Sequence, residues 1–88
     1  VVKSGLIGLT RYLSTYWASE NIRCNALSPG SVLNLQSKSL VSELKKLIPM
    51  KRLANKNEYK SAVKFLCTIE SSYMTGQNII IDGGRSFW

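Results

Sequence analysis

The stretch QNIIIDGG, residues 77–84, carries the clearest indication of the fold. Ile79, Ile80 and Ile81 are consecutive, so a strand through them would present apolar side chains on both of its faces. Such strands are typical of parallel sheets that helices cover on both sides, whereas a sheet with one wet face alternates apolar and polar residues. The stretch therefore predicts an α/β protein in which this strand is buried on both faces.

A second short strand is predicted at residues 22–27, where apolar and polar side chains alternate in the sequence IRCNAL. Pro29 restricts Ser28 to extended geometry and Gly30 permits a sharp turn, so the strand is expected to stop here. Ligands of open α/β sheets bind outside the carboxyl ends of the strands. Residues 28–32 (SPGSV) are therefore in the position of a ligand-binding loop, although taken alone they indicate only a turn.

Three helices are predicted from apolar residues at helical spacing. The first covers residues 4–19 and stops near Asn21, which tolerates the left-handed conformation at a helix end. The second covers residues 40–48 and ends at Pro49, and the third follows an N-cap at Asn57. The order helix, strand, loop, helix, helix, strand forms a right-handed parallel unit. Two strands cannot cover three helices, so we expect the end of a larger doubly wound α/β domain.

Composition excludes several kinds of site. The 88 residues contain no histidine, which removes His-based zinc sites and Ser-His or Cys-His nucleophilic arrangements, and no metal site is expected. Cys24 and Cys67 lie in apolar segments and are predicted to be buried thiols in a reducing compartment, the cytoplasm. The longest apolar runs are far shorter than a membrane span, so no membrane partner is expected.

The net charge of +7 is concentrated in one segment of the chain. Such a cluster indicates either a nucleic-acid footprint or a solvated, mobile surface. No interleaved aromatic residues or nucleic-acid motif accompany it, so the solvated surface is preferred and no nucleic-acid partner is expected. Seven of the twelve basic residues form this basic segment: Lys45, Lys46, Lys51, Arg52, Lys56, Lys60 and Lys64.

Four spaced motifs carry a more specific signal: Lys3 followed by SGLIGLTRYLS, then NIRCNALSPGSV, PMKRLANKNEYKSAVKFL and SSYMTGQNIIIDGG. Together they resemble the C-terminal third of a short-chain dehydrogenase/reductase, closest to the branch that includes 3-oxoacyl-carrier-protein reductases. The resemblance covers essentially all 88 residues. It implies that residues 1–88 are the C-terminal portion of a single, incomplete NAD(P)-binding domain of the Rossmann type.

The resemblance also implies which residues bind the cofactor. Lys3 would be catalytic: in the family it holds the nicotinamide ribose hydroxyls, and its ammonium lowers the pKa of a tyrosine from about 10. That tyrosine stands four residues earlier, upstream of this sequence. Pro29 and Gly30 would pass beside the nicotinamide, and the backbone of Val32 would face its carboxamide. The family commonly has threonine where this chain has Asn34, whose amide still donates and accepts hydrogen bonds. Without these motifs, Lys3 would be an ordinary solvated charge.

A substrate loop and an oligomer follow from the same resemblance. Residues 31–50, approximately, would form a mobile loop whose closure excludes water. The first helix would pair with its copy in another subunit, and the third helix and last strand would make a second contact, giving a dimer or tetramer. The leucines Leu33, Leu35, Leu40 and Leu44 would line the loop, although amphipathic packing explains them equally well.

Two polar residues beside the strands have a simpler interpretation. Asn25 and Asp82 lie in or next to predicted strands, where a polar side chain needs a hydrogen-bond partner. Satisfaction of nearby backbone groups is preferred to a catalytic role for both.

The activity implied is hydride transfer between NAD or NADP and a small-molecule carbonyl or alcohol substrate. The 88-residue chain alone is expected to be inactive, because the catalytic acid and the dinucleotide-binding half lie outside it. Three alternatives stay open: a truncated, non-catalytic subunit or interaction piece, a basic nucleic-acid-binding module, and an oxidoreductase of sugar-derived precursors of surface glycans. Carbonyl-dependent turnover, partner binding without turnover, and salt-sensitive nucleic-acid binding distinguish the enzyme, the interaction piece and the nucleic-acid module.

Overall fold

The computed structural model describes the backbone of residues 2–87 and the side chains of residues 4–86. The order of helices and strands agrees with the sequence prediction. The regular elements are helix α1 (Val2–Tyr16), strand β1 (Ala26–Pro29), helix α2 (Lys38–Lys46), helix α3 (Lys60–Cys67) and strand β2 (Asn78–Ile81). Short 3-10 helices lie at Ala18–Glu20, Lys56–Tyr59, Ile69–Ser71 and Arg85–Phe87.

Strands β1 and β2 pair in parallel. The Ala26 N–H donates to the Gln77 carbonyl at 2.8 Å, and the Gly30 N–H donates to the Ile81 carbonyl at 2.9 Å. Donors and acceptors thus advance in the same direction along both strands, which is the parallel pattern. The prediction of two parallel strands joined by a helical crossover is confirmed.

The bounds predicted for β1 are wrong at both ends. Residues 22–25 are irregular, because the side chains of this segment bond to a distant turn instead of alternating across a sheet. Pro29 belongs to the strand. The N–H groups of Ala26 and Gly30 face β2. Because successive backbone groups alternate in direction along a strand, the nitrogen of Pro29 faces away from β2, where a proline costs no ladder hydrogen bond.

The helix ends also differ from the prediction. Helix α1 stops at Tyr16, and one 3-10 turn then leads to Asn21, which adopts the predicted left-handed conformation with φ 62°. Helix α2 begins at Lys38 because the Ser37 hydroxyl accepts the Leu40 N–H at 3.3 Å and caps it.

The predicted N-cap of the third helix is wrong. The 3-10 turn that leads into α3 is capped at Asn55, and Asn57 lies inside that turn. Glu58 favours Asn55 as the N-cap, because the Glu58 carboxylate accepts the Asn55 N–H at 2.9 Å, as in a capping box.

Contacts divide the chain into two compact units. The first contains the residues up to Leu27 together with Val63–Ile79. Its most buried described residues are serines, Ser14 (4 % exposed) and Ser71 (3 %). The Ser14 hydroxyl donates to the Arg11 carbonyl at 2.6 Å. A Cβ on Gly76 would lie 2.7 Å from the Ser14 hydroxyl oxygen. Gly76 is therefore required both for this contact and for its φ of 75°.

Arg23 organises the same unit. Its Nη1 donates to the Ser71 hydroxyl at 2.9 Å and to the Met74 carbonyl at 3.3 Å. Its Nη2 donates to the carbonyls of Leu66 at 3.1 Å and Thr68 at 3.3 Å. Leu66 lies in the last turn of α3, so the guanidinium satisfies carbonyls that the end of a helix leaves unpaired.

The second unit contains Ser28–Ala62 together with the residues from Ile80 onward, and its most buried described residues are apolar. Ile48 is 2 % exposed and Leu53 is 5 % exposed. A Cβ on Gly83 would lie 2.8 Å from Cγ2 of Ile48, and one on Gly84 would lie 3.0 Å from Cγ of Pro49. Because Gly83 and Gly84 have no side chains, the segment that follows α2 can pack against them.

The prediction that β2 is buried on both faces is wrong for the described residues, since Ile80 is 51 % exposed. A two-stranded sheet is too small for helices to enclose its strands. Large apolar side chains are exposed along the whole chain, including Leu6, Leu9, Tyr12, Tyr16, Leu35, Ile69 and Tyr73.

Candidate functional site

The segment after β1 is held closely against the end of β2. Gly30 occupies the tightest point, because a Cβ there would lie 2.8 Å from both Cα and Cβ of Asp82. Among the described glycines, a positive φ occurs at Gly76, Gly83 and Gly84 but not at Gly30. The absence of a side chain at Gly30 thus serves close approach to Asp82, whereas the sequence suggested a sharp turn.

A single parallel bridge positions Val32. The Leu33 N–H donates to the Ala54 carbonyl at 2.8 Å, and the Ala54 N–H donates to the Ser31 carbonyl at 2.9 Å. The N–H and carbonyl of Val32 itself therefore point to the opposite side of the segment. Within the described residues, the Val32 N–H donates to no acceptor.

Gln36 connects two of the candidate cofactor-binding residues. Its Nε2 donates to the Val32 carbonyl at 2.8 Å, and its Oε1 accepts the Asn34 N–H at 2.7 Å. The Asn34 side chain is exposed. Sequence reasoning missed Gln36, although side chains that bond to backbone groups two and four residues away are a known local motif in loops.

Asp82 and Asn25 have the local roles expected of them. Asp82 accepts the Gly84 N–H at 3.0 Å and the Ser86 N–H at 3.1 Å. Partial desolvation raises the pKa of Asp82, but the hydrogen bonds from Gly84 and Ser86 outweigh it and leave the pKa below its usual value. Asn25 donates to the Met74 carbonyl at 2.9 Å and accepts the Gln77 N–H at 3.0 Å. The predicted preference for backbone satisfaction is confirmed for both.

Two concave regions lie in the second unit. A small cavity of about 80 Å³ is lined by Ile48, Met50, Tyr59 and Asp82 among others. It is too small for a nicotinamide ring system. A shallow groove of about 390 Å³ borders the segment after β1 and one side of α2. Its lining combines apolar and basic side chains: Leu33, Gln36, Lys38, Val41, Ser42 and Lys45.

Lys3 lies in the first turns of α1, and its side chain is outside the described side chains. Pro29, Gly30, Val32 and Asn34 lie within six consecutive residues at and after the end of β1, and their binding roles stay predictions, as does the position of the Lys3 ammonium.

Among the described residues, two ion pairs involve the basic segment. Lys46 pairs with Glu43 at 3.2 Å, and Arg52 makes a two-pronged pair with Glu58 at 2.6 and 3.0 Å. The hydrogen bonds from Arg52 lower the pKa of the Glu58 carboxyl to about 2, with a further contribution from the Asn55 N–H. Part of the positive charge is thus neutralised locally.

The expectation of two buried thiols is wrong for Cys67, which is exposed, and Cys24 is only half-buried. Cys67 lies at the last position of α3, where the helix end does not cover it. Both are free thiols. Residues 4–86 contain no group of three or more His, Cys, Asp or Glu side chains placed to hold a metal ion. No helix in the described part is long and apolar enough to cross a membrane.

A family model described as enoyl-(acyl carrier protein) reductase matches residues 1–86. The chain belongs to the short-chain dehydrogenase/reductase family. D-arabinitol 2-dehydrogenase [ribulose-forming] from Scheffersomyces stipitis is 40 % identical over an alignment of 94 positions, which covers 98 % of this chain and 34 % of that protein. A chloroplastic tropinone reductase homologue from Arabidopsis thaliana is 40 % identical over 90 residues, covering 96 % of this chain and 28 % of the relative. The chain thus spans about a third of the length of its curated relatives.

Solved structures of short-chain dehydrogenase/reductases establish the fold. A short-chain dehydrogenase from Leptospira borgpetersenii with bound NAD+ is 38 % identical with a TM-score of 0.90, covering 96 % of this chain and 33 % of that one. A 4-hydroxyisoleucine dehydrogenase complexed with NADH is 28 % identical with a TM-score of 0.90, covering 98 % of this chain and 38 % of that one. The predicted fold, the C-terminal part of a Rossmann-type parallel α/β sheet, is confirmed.

Proposed function

We propose that this chain is part of an NAD(P)-dependent oxidoreductase that transfers hydride between a nicotinamide and a carbonyl or alcohol substrate. The observation that carries the proposal is the segment Pro29–Asn34, which begins at the last residue of a parallel strand. A short-chain dehydrogenase/reductase family model matches the chain over residues 1–86. Ligand sites of parallel α/β sheets lie at this end of the strands.

The segment after β1 fits a nicotinamide carboxamide. The Ser31 carbonyl and the Leu33 N–H are occupied by Ala54, and the Val32 carbonyl is occupied by Gln36. The Val32 N–H remains as a donor on the outer side of the segment, suited to a carboxamide oxygen. The cofactor, NAD or NADP, would supply the hydride, and Pro29 and Gly30 would form the wall beside its ring.

Lys3 would serve two functions at this site. As a cation it would hold the ribose hydroxyls of the nicotinamide nucleotide. Its charge would also stabilise the tyrosinate form of an upstream tyrosine, which moves the pKa of that acid toward the working pH. The tyrosine would then deliver the proton to the carbonyl oxygen.

Residues 31–50 are proposed as the substrate loop. Leu33 and Leu40 are 45 % and 47 % exposed, and Leu35 is 96 % exposed, so the segment offers apolar surface for a substrate to cover. The relatives of this chain include a D-arabinitol 2-dehydrogenase and a tropinone reductase homologue. The substrate panel should therefore include a 3-oxoacyl thioester, pentitols with their ketoses, and cyclic ketones.

The chain is proposed to be one portion of a single dinucleotide-binding domain that assembles as a homo-oligomer in the cytoplasm. Tyr12 and Tyr16 are 61 % and 62 % exposed on α1 and lie 5.9 Å apart between ring centroids. A Cβ on Gly5 or Gly8 of the same helix would meet nothing within 4 Å. Such a surface suits the close approach of a second helix. Two free thiols suit a reducing compartment.

The test uses the full-length protein that contains this chain. Carbonyl-dependent loss of NAD(P)H absorbance is expected, and Lys3→Met is expected to lower kcat at least about a hundredfold. Lys64→Met, at an exposed position on α3, is the matched control and should leave turnover unchanged. Partner binding without turnover would instead support a non-catalytic subunit, and full activity of Lys3→Met would remove the role assigned to that lysine.

A further inference from the structure

Gln36 makes two hydrogen bonds that close a small ring of backbone and side-chain atoms. Its amide donates to the Val32 carbonyl at 2.8 Å and accepts the Asn34 N–H at 2.7 Å. Both distances are in the range of good hydrogen bonds, and the side chain is half-buried. A single glutamine thus uses a donor and an acceptor on two backbone groups of the segment that follows β1.

Gln36 and Ala54 together bond to the backbone of residues 31–34. Ala54 bonds to Ser31 and Leu33 from one side of the segment, and Gln36 bonds to Val32 and Asn34 from the other. The backbone is therefore fixed on both sides over four consecutive residues, although the Leu33 and Asn34 side chains are exposed. Rigid support of this kind is what a loop needs in order to present a donor in a fixed direction.

We infer that Gln36 is a positioning residue for cofactor binding: it fixes the turn at residues 32–36 so that the Val32 N–H is held ready for the nicotinamide carboxamide. The inference rests on the proposed function. Gln36 acts through Val32 and Asn34 and does not itself touch the reacting atoms. Because it occupies the Val32 carbonyl and the Asn34 N–H, it also removes both groups from competition for the carboxamide.

The experiment compares Gln36→Met and Gln36→Glu in the full-length protein. Methionine keeps the side-chain length and removes both hydrogen bonds, so the KM for NAD(P)H is expected to rise about tenfold while kcat changes less than about threefold. Glutamate keeps the acceptor for the Asn34 N–H but loses the donor to the Val32 carbonyl, and its carboxylate repels that carbonyl. Gln36→Glu is therefore expected to weaken cofactor binding as well, with Asn34 still protected.

A second readout reports the loop itself. Amide hydrogen exchange at Asn34 is expected to be about tenfold faster in Gln36→Met than in the wild-type protein, and close to wild type in Gln36→Glu. Gln77→Met is the matched control, because the exposed Gln77 side chain makes one longer bond, 3.4 Å, to the Thr75 carbonyl. This variant should change neither the exchange at Asn34 nor the cofactor KM.

The outcomes separate the two proposals. An unchanged cofactor KM in Gln36→Met, or unchanged exchange at Asn34, overturns the role assigned to Gln36. A wild-type protein that neither binds nor oxidises NAD(P)H contradicts the proposed function, and with it any role of the turn in cofactor binding. The exchange comparison then still decides whether Gln36 fixes residues 32–36.

Discussion

The two units of this chain bury residues of opposite character against the same kind of partner. In the first unit Ser14 lies against Gly76, and in the second Ile48 lies against Gly83. Both glycines have a positive φ, 75° and 66°. The first unit adds hydrogen bonds from Arg23 to backbone oxygens, whereas the second adds a second buried apolar residue, Leu53. A glycine turn can therefore receive either a polar or an apolar side chain, and different forces then stabilise each unit.

The largest effect is expected where the apolar contact is removed. Ile48→Ala should lower the free energy of unfolding of the full-length protein by about 3 kcal/mol, because it leaves a cavity beside Gly83. Urea denaturation measures this change. Leu47→Ala, at a 48 % exposed neighbouring position, is the matched control and should cost about 0.5 kcal/mol. Equal losses for the two variants would contradict an apolar core centred on Ile48.

A slightly smaller effect is expected at the polar centre of the first unit. Arg23→Met keeps much of the side-chain volume but removes the hydrogen bonds of the guanidinium to the carbonyls of Leu66, Thr68 and Met74. These carbonyls keep only their bonds from Ser71 and Asn25, so the expected cost is about 2 kcal/mol in the free energy of unfolding. Arg11→Met changes an exposed arginine on α1 and should be near neutral. A loss in Arg23→Met no greater than that in Arg11→Met would show that packing, not hydrogen bonding, holds this unit.

The smallest effect is expected at the exposed pair of Arg52 and Glu58. Bonding to Arg52 lowers the pKa of Glu58 from 4.5 to about 2, so the folded state binds fewer protons than the unfolded state in acid. The stabilisation is fully present above pH 4.5 and is lost as the pH falls through 4.5 toward 2. Glu58→Gln should therefore lower Tm slightly at pH 7, and the difference from wild type should shrink at pH 3.

Added salt and the removal of a second carboxylate, Glu43, test the same contribution of the Arg52–Glu58 pair to Tm. Added salt should also reduce the difference in Tm at pH 7, since both partners are exposed. Glu43→Gln, which removes the single-bond pair with Lys46, serves as the control and should have the smaller effect at pH 7. A difference between wild type and Glu58→Gln that is the same at pH 3 and pH 7 would contradict the lowered pKa.

Short-range patterns in the sequence predicted most of the architecture. The three consecutive isoleucines of β2 and the apolar spacing of the helices depend on neighbours a few residues apart, and they located every regular element. The left-handed Asn21 was predicted correctly for the same reason, since the preference belongs to the residue itself. Several element boundaries were predicted wrongly, and the start of β1 is one that distant partners decide.

Arg23 shows why those boundaries could not be predicted. Its acceptors lie 43 to 51 residues along the chain, and no periodicity in residues 22–27 reveals that the side chain bonds to them. The N-cap is Asn55 and not the predicted Asn57, because Glu58, three residues after Asn55, completes a capping box with it. At the candidate site, Pro29, Gly30, Val32 and Asn34 came from the family resemblance, and the support from Gln36 became visible only in the geometry.

Strand β2 contributes to both units: Asn78 and Ile79 belong to the first, and Ile80 and Ile81 belong to the second. Each unit is therefore built from two segments that are far apart along the chain, and the four residues of β2 are divided between the two units. During synthesis neither can complete its strand pair until those residues have left the ribosome. Folding of this region should thus be governed by long-range contacts, which slow the search for the native state. The four residues of β2 determine when both units can form.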